Sequence, residues 1–286
     1  MREPAIAVAP YGAKLNRDFA NQSLSTLHWP LGCPPELAGG RIADLGVQDH
    51  LIVWAKTGMH VQWRWPCRAR ISIMVMEPKI MSAVHHRLLP WTWRRFHRVF
   101  SYDENLLIRI GNGAFLPFGT TWVQDWAALR PQKQADLSLI ASAKRDHPGH
   151  KLRHEIAAHL QANRPEVDIL GRGYRPFQAK ADGLAPYRYS VVIENVRERN
   201  YFSEKLIDAI LCETVPIYWG CPNIGDFLAP GAMMTCGSED EIHAAIAQIS
   251  AEDYALRLPG LRAIKEQAAY LGQLEQRAVE ILLTTL

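Results

Sequence analysis

The chain contains no apolar run approaching the roughly 18 residues of a membrane span, no internal repeat and no low-complexity tract. Cysteine is scarce. Cys33, Cys67, Cys212, Cys221 and Cys236 are odd in number and scattered, without CxxC or other metal spacing, so no zinc site is implied and reduced thiols in a cytoplasmic setting are expected. An excess of one charge is missing too: 32 Lys and Arg stand against 29 Asp and Glu, and a net charge of +3 is too slight to argue for nucleic acid. It does tolerate an anionic ligand or membrane surface. The start, MREPAIAVAPYG, lacks the long apolar core of a signal peptide, which points to a soluble protein or one peripheral at the inner face of a membrane. What is present is globular: 286 residues, 48% hydrophobic and 21% charged, enough for two domains that each bury a core.

The most informative stretch is Tyr189 to Gly220, YSVVIENVRERNYFSEKLIDAILCETVPIYWG. Tyr189–Ile193 is the short apolar run of a buried parallel strand, and it ends in the polar pair Glu194-Asn195. A polar loop follows. From Ser203 the residues Leu206, Ile207, Ile210 and Leu211 recur at helical spacing, and Thr214–Trp219 reads as a second buried strand. Strand, loop, helix and strand make a βαβ unit, in which ligands bind beyond the carboxyl ends of the strands. Glu194, Asn195, Tyr201, Glu204 and Lys205 all fall at that end.

Glu194-Asn195, then Tyr201-Phe202-Ser203-Glu204-Lys205, then Thr214 to Gly220 and Pro222-Asn223 resemble the donor-site motif of the α-1,3/4-fucosyltransferases, family 10 of the glycosyltransferases. The resemblance covers the C-terminal half well and the N-terminal half only in fragments. It implies an α/β protein of GT-B architecture, two Rossmann-like domains facing a central cleft. It also implies inverting transfer of fucose from GDP-fucose to a glycan hydroxyl, with lipopolysaccharide or another surface saccharide as the expected acceptor. Two other readings keep the fold: a different nucleotide sugar, or an inactive relative that binds a glycan or nucleotide.

Taken in order, the chain offers strands at Ala5–Ala9, His50–Ala55, Arg70–Met76, Arg98–Tyr102 and Ala114–Pro117. A helix over Lys79–His97, broken near Pro90, and a short one over Leu106–Ile110 lie among them. The domain boundary is placed near Ala135, giving 1–135 for the acceptor side and 136–286 for the donor side. Strands at Asp136–Ala141, Val167–Leu170 and Met233–Cys236, helices at Lys151–Asn163 and Ser238–Ile249, and a mainly helical Ala251–Leu286 complete the second half.

A nucleotide-sugar transferase must hold a diphosphate and stabilise the charge growing on it as it leaves. Lys205, in the first turn of its helix, suits that need, although a lone lysine is more often a solvated surface residue. The resemblance places an arginine near the start of the first helix of the donor domain. Arg153 is the choice, with Lys144, Arg145 and Lys151 competing. Glu204 is assigned to the sugar ring, Asn195 and Tyr201 to the ribose and sugar, and Glu194 to the ribose hydroxyls. The bland alternatives are helix-dipole charge for Glu204, strand-end hydrogen bonding for Asn195 and packing for Tyr201. Glu77, which closes a buried strand, is the choice for general base, with Asp103 and Glu104 as rivals and His85 and His86 as bases or acceptor contacts. The aromatic-basic run Leu89–His97 suits a membrane interface, a lipid-linked acceptor or a glycan face, or else is a helix packed on the sheet. No acidic DxD-like pair sits at a donor-side strand end, so no obligatory metal is expected.

Overall fold

The computed structural model describes residues 2–285. They divide into two compact units, one running up to Pro117 and resuming at Leu274, the other spanning Phe118 to Gln273.

The first unit contains β1 (Ile6–Val8), α1 (Arg17–Ala20), β2 (His50–Trp54), β3 (Arg70–Val75), α2 (Lys79–Thr92), β4 (Val99–Ser101), α3 (Glu104–Leu107) and β5 (Gly113–Phe115). Its strands lie in the order β1-β2-β3-β4-β5, every neighbouring pair parallel. Leu51, Val53, Ile71, Ile73 and Val99 are buried in its core, the continuous apolar content expected of strands covered on both faces. Two expectations need correction. Pro90 does not break α2, which continues to Thr92; so near a helix end the missing N–H forfeits little, and the Thr92 hydroxyl donates to the Leu88 carbonyl at 3.0 Å. The second helix is the single turn α3, started by Asp103, whose carboxylate accepts from the Asn105 N–H at 3.2 Å.

The second unit contains β6 (Ala135–Ile140), α4 (Pro148–Asn163), β7 (Asp168–Leu170), β8 (Tyr187–Ile193), α5 (Glu204–Leu211), β9 (Val215–Trp219), β10 (Met234–Thr235), α6 (Glu239–Gln248), α7 (Ala251–Ala263) and α8 (Lys265–Leu271). Its parallel sheet has the order β10-β9-β8-β6-β7, so the chain starts in the interior and winds outward in both directions. Two Rossmann-like α/β sheets are what the GT-B class requires. The last helix, α9 (Leu274–Leu283), belongs to the first unit: it packs on β1, and the Arg277 guanidinium donates to the Pro117 carbonyl at 3.0 Å.

The units therefore part at Pro117, not at Ala135, and the C-terminal helix does not stay with the donor half. Residues 118–134 join the second unit because Val123 lies in its core and Asp208 holds the segment, accepting from Thr121 Oγ1 at 2.7 Å and the Trp122 N–H at 3.0 Å.

Another difference shapes the site. The helix expected from Lys151 opens at Pro148, since a proline at the first helical position gives up an N–H that has no partner there anyway. Gly149 N–H then donates to the Asn195 carbonyl at 3.0 Å, and a Cβ on Gly149 would lie 1.7 Å from the Glu194 carbonyl oxygen. The start of α4 thus sits flush against the end of β8, which only glycine permits. Gly149→Ala is expected to cost about 2 kcal/mol or more, whereas Gly58→Ala, with nothing within 4 Å, should stay within about 0.5 kcal/mol. Thermal and urea unfolding of the two variants checks this, and equal stabilities would refute the close approach.

Candidate functional site

In the second unit, β6 has β7 on one side and β8 on the other, so successive connections leave the sheet in opposite directions at that point. Open α/β sheets bind ligands at such a switch, beyond the carboxyl ends of the strands. A cavity of about 280 Å³ opens there, with Ser142 and Lys144 after β6, Val191 to Ile193 and Asn195 on β8 and its end, and His150 and Arg153 of α4 in its wall. Trp122, Lys180, Glu204 and Lys205 also line it, with Ile140, Leu184 and Ser190.

The polar groups are locked together. Asn195 Oδ1 accepts from Arg153 Nη2 at 2.8 Å and from His150 Nε2 at 3.1 Å. Asn195 therefore fixes the guanidinium, which is only 4% exposed and whose Nε has no protein partner. Burial pulls the Arg153 guanidinium below its ordinary value against the charges of Glu194 and Glu204; arginine stays charged all the same. On α5, Ser203 caps the helix through the Lys205 N–H, and Lys205 Nζ donates to Ser203 Oγ at 3.0 Å and Glu204 Oε1 at 2.9 Å. Burial pushes the Lys205 ammonium down, yet the charges of Glu204 and Glu194 more than offset it and hold it above its usual range. Burial likewise raises the Glu204 carboxyl, but the charge and hydrogen bond of Lys205 and the charge of Lys180 keep it ionised below the usual value. Lys180 Nζ lies 5.7 Å from the centre of the Trp122 ring. Four cations, Lys144, Arg153, Lys180 and Lys205, thus share the cavity wall with a single acid, Glu204.

Arg153, Asn195, Glu204 and Lys205 come together as the sequence suggests, but Glu194 and Tyr201 do not line the cavity. The Glu194 carboxylate is fully buried and accepts from the Ser203 N–H at 2.7 Å and Ser203 Oγ at 2.6 Å. Tyr201 is buried, its ring stacked on Phe118 with centroids 5.4 Å apart and planes 5° from parallel. Both point inward, the bland outcome for Tyr201 and an unforeseen one for Glu194. Of the competing cations Lys144 joins Arg153, whereas Arg145 and Lys151 line a separate hollow with His154 and Glu155. His150, Lys180 and Trp122 escaped the sequence reading. The Pro-Gly pair ahead of His150 was a usable helix-start signal; Lys180, which opens the single 3-10 turn Lys180–Gly183, carries none.

Glu77 lines a hollow of about 370 Å³ in the first unit, with Tyr11, Trp54, Lys56 and His85. The Tyr11 hydroxyl donates to Glu77 Oε1 at 3.0 Å. His85 is set by a chain of bonds. The Thr92 hydroxyl gives its proton to Leu88, so it accepts from His60 Nδ1 at 2.8 Å; His60 Nε2 then accepts from His85 Nδ1 at 2.8 Å, leaving His85 Nε2 unprotonated. Asp103, by contrast, is occupied: it caps α3 and pairs with Lys79 at 2.9 Å and His86 at 3.1 Å.

Residues 131–249 match the family model described as glycosyltransferase family 10 (fucosyltransferase), C-terminal part. In this segment the chain is similar to glycosyltransferase family 10. The matched segment holds every wall residue of the switch-point cavity except Trp122. Among curated proteins, the alpha-(1,3)-fucosyltransferase FucT of Helicobacter pylori is 37% identical over 51 residues, 18% of this chain and 11% of that protein. Alpha-(1,3)-fucosyltransferase 7 of Mus musculus is 24% identical over 230 residues, 68% of this chain and 53% of its own. The corresponding protein of Bos taurus is 24% identical over 255 residues, 76% and 66%. The chain thus spans less than two thirds of each of these relatives. A solved alpha1,3-fucosyltransferase with GDP-fucose shares the fold at a TM-score of 0.51 and 17% identity, over 90% of this chain and 82% of its own. Another alpha1,3-fucosyltransferase structure does so at 0.52 and 18%, over 90% and 80%.

The cavity makes an acid-side prediction. Burial, then the charges of Arg153 and His147, push the His150 imidazolium down to about 4. A depressed histidine contributes stability above its unfolded value near 6.5 that is lost as pH falls through 4, because the unfolded chain takes up the proton first. His50 and His85, both pushed down to about 4 mainly by burial, act in the same direction. His150→Gln keeps a donor for Asn195 but cannot titrate. Melting temperature followed from pH 7 to 4 should fall less steeply in this variant, and an unchanged slope would contradict a buried neutral His150.

Proposed function

We propose that the chain is an inverting glycosyltransferase that moves fucose from GDP-fucose to a hydroxyl of a glycan acceptor such as a surface saccharide. The observation that carries this reading is the cationic cavity at the switch point of a family 10 domain. In the proposed reaction the acceptor oxygen bonds to the anomeric carbon, the bond from that carbon to the diphosphate breaks, and the acceptor proton passes to a carboxylate. GDP leaves with the electron pair.

Arg153 and Lys205 have the chemistry for the leaving diphosphate. A guanidinium fork suits two phosphate oxygens, and an ammonium at a helix start adds point charge where unpaired N–H groups already favour an anion. Glu204, ionised beside Lys205, is suited to positive charge growing on the sugar ring. Asn195 acts by holding Arg153, and Glu194 by shaping the start of α5; neither needs to touch the nucleotide. Glu77 is the base we assign, since the Tyr11 hydroxyl leaves one carboxylate oxygen for the acceptor proton. His85, with an open Nε2, fits an acceptor contact in the same hollow. With cations already facing the diphosphate, divalent metal has no charge left to supply, so transfer should persist in EDTA.

Calorimetry and a transfer assay test the division of roles. Lys205→Ala should lower both GDP affinity and turnover, because the contact strengthens as the diphosphate gains charge. Glu77→Gln should leave GDP affinity unchanged and slow transfer by about 10²–10⁴-fold. Normal GDP binding by Lys205→Ala would refute the donor site, wild-type transfer by Glu77→Gln would refute the base, and a preference for UDP-sugars would overturn the fucosyl assignment.

A further inference from the structure

Nine lysines and arginines but one acid, Glu77, occur between His50 and Tyr102, a net of +8 in a chain whose total is +3. The remainder is therefore acidic, and the basic charge is concentrated in the first unit. In the same stretch three large apolar side chains stand almost fully in solvent: Trp63 at 92% exposure, Trp91 at 85% and Val61 at 80%. Single exposed apolar residues are ordinary, but a group ringed by cations is not.

The group is built by the fold. On α2 the exposed residues Ile80, Val84 and Trp91, with Arg87 between them, follow the i, i+4, i+7, i+11 spacing of one face, whereas Ser82 and Leu89 are the buried ones. The helix thus turns an apolar stripe outward. The loop carrying Val61 and Trp63 is tied to the end of this helix: the Arg95 guanidinium donates to the Gln62 carbonyl, and His60 bonds both His85 and Thr92 at 2.8 Å. Arg94 lies over the Trp93 ring at 4.5 Å, and Arg64 and Arg87 are exposed nearby in the chain.

We infer that this face docks on an anionic lipid surface. Tryptophan favours the boundary between headgroups and acyl chains, and arginines around it meet lipid phosphates, so the two residue types address adjacent layers of one target. A second copy of the chain is the poorer occupant, because a two-fold contact would bring two such positive faces together. The inference stands apart from the transfer reaction, since none of Trp63, Trp91, Arg64 and Arg87 lines either the switch-point cavity or the Glu77 hollow.

Co-sedimentation of the full chain with vesicles decides the matter. At low salt the protein should bind vesicles containing phosphatidylglycerol and not pure phosphatidylcholine, and binding should weaken as salt screens the charge. Trp63→Ser with Trp91→Ser, and separately Arg64→Gln with Arg87→Gln, should each lower the partition coefficient by about tenfold or more while melting temperature and GDP binding stay unchanged. Wild-type binding by both double variants, equal binding to both vesicle types, or no binding to either would overturn the inference. So would a dimer in solution that the tryptophan substitutions convert to monomer.

Discussion

The carboxylate of Glu194 is the interaction on which the candidate site depends. It sits at the end of β8 without solvent contact and accepts both the N–H and the hydroxyl of Ser203. A buried carboxylate is costly unless its oxygens are satisfied, so the strand end and the start of α5 have to stay in register. The consequences spread outward. Ser203 is held as the cap of α5, Lys205 is brought to 3.7 Å from Glu194, and the lysine charge is stabilised before any ligand arrives. Gly220 at the end of β9 must lack a side chain, because a Cβ there would meet Glu194 Cγ at 2.6 Å. A residue that touches no ligand thus sets the geometry of those that line the cavity.

Such a concentration of cations needs support when the cavity is empty, and the support comes from behind the wall. Glu194 counters Arg153 and Lys205, and Asp208 counters Lys180. Burial raises the Asp208 carboxyl to about 6, offset by the Thr121 hydroxyl, the charge of Lys180 and the Trp122 N–H. At neutral pH it is mostly ionised and positions Trp122, whose ring in turn faces Lys180. Residues 118–134 are therefore part of the site's framework, the physical reason the unit begins before β6.

This division also explains what the sequence disclosed. Asn195, Glu204 and Lys205 were legible because each is fixed by a local rule, the polar end of a buried strand or the first turn of a capped helix. Arg153 became legible through helical spacing joined to a family resemblance. The same strand-end logic misjudged Glu194 and Tyr201, since it locates a residue at the ligand side of the sheet without saying which way its side chain turns. Side-chain direction here is decided by partners distant in sequence: Ser203 and Gly220 for Glu194, Phe118 for Tyr201. Lys180 and the return of α9 to the first unit rest wholly on tertiary contacts. No periodicity announces them.

Strand order, finally, separates the two sheets by more than composition. In the first unit each strand lies beside its predecessor, β1 to β5, so successive connections never diverge. In the second, β7 and β8 lie on opposite sides of β6, and the connections that leave them open a crevice at the carboxyl ends. Two helix starts, those of α4 and α5, face that crevice and bring Arg153 and Lys205 to it. The gathering of cations in this unit therefore follows from winding direction combined with a glycine at the start of α4 and a serine cap at the start of α5. The first sheet, with no such reversal, offers at its strand ends a hollow holding Glu77 and His85, groups suited to accepting a proton or a hydroxyl.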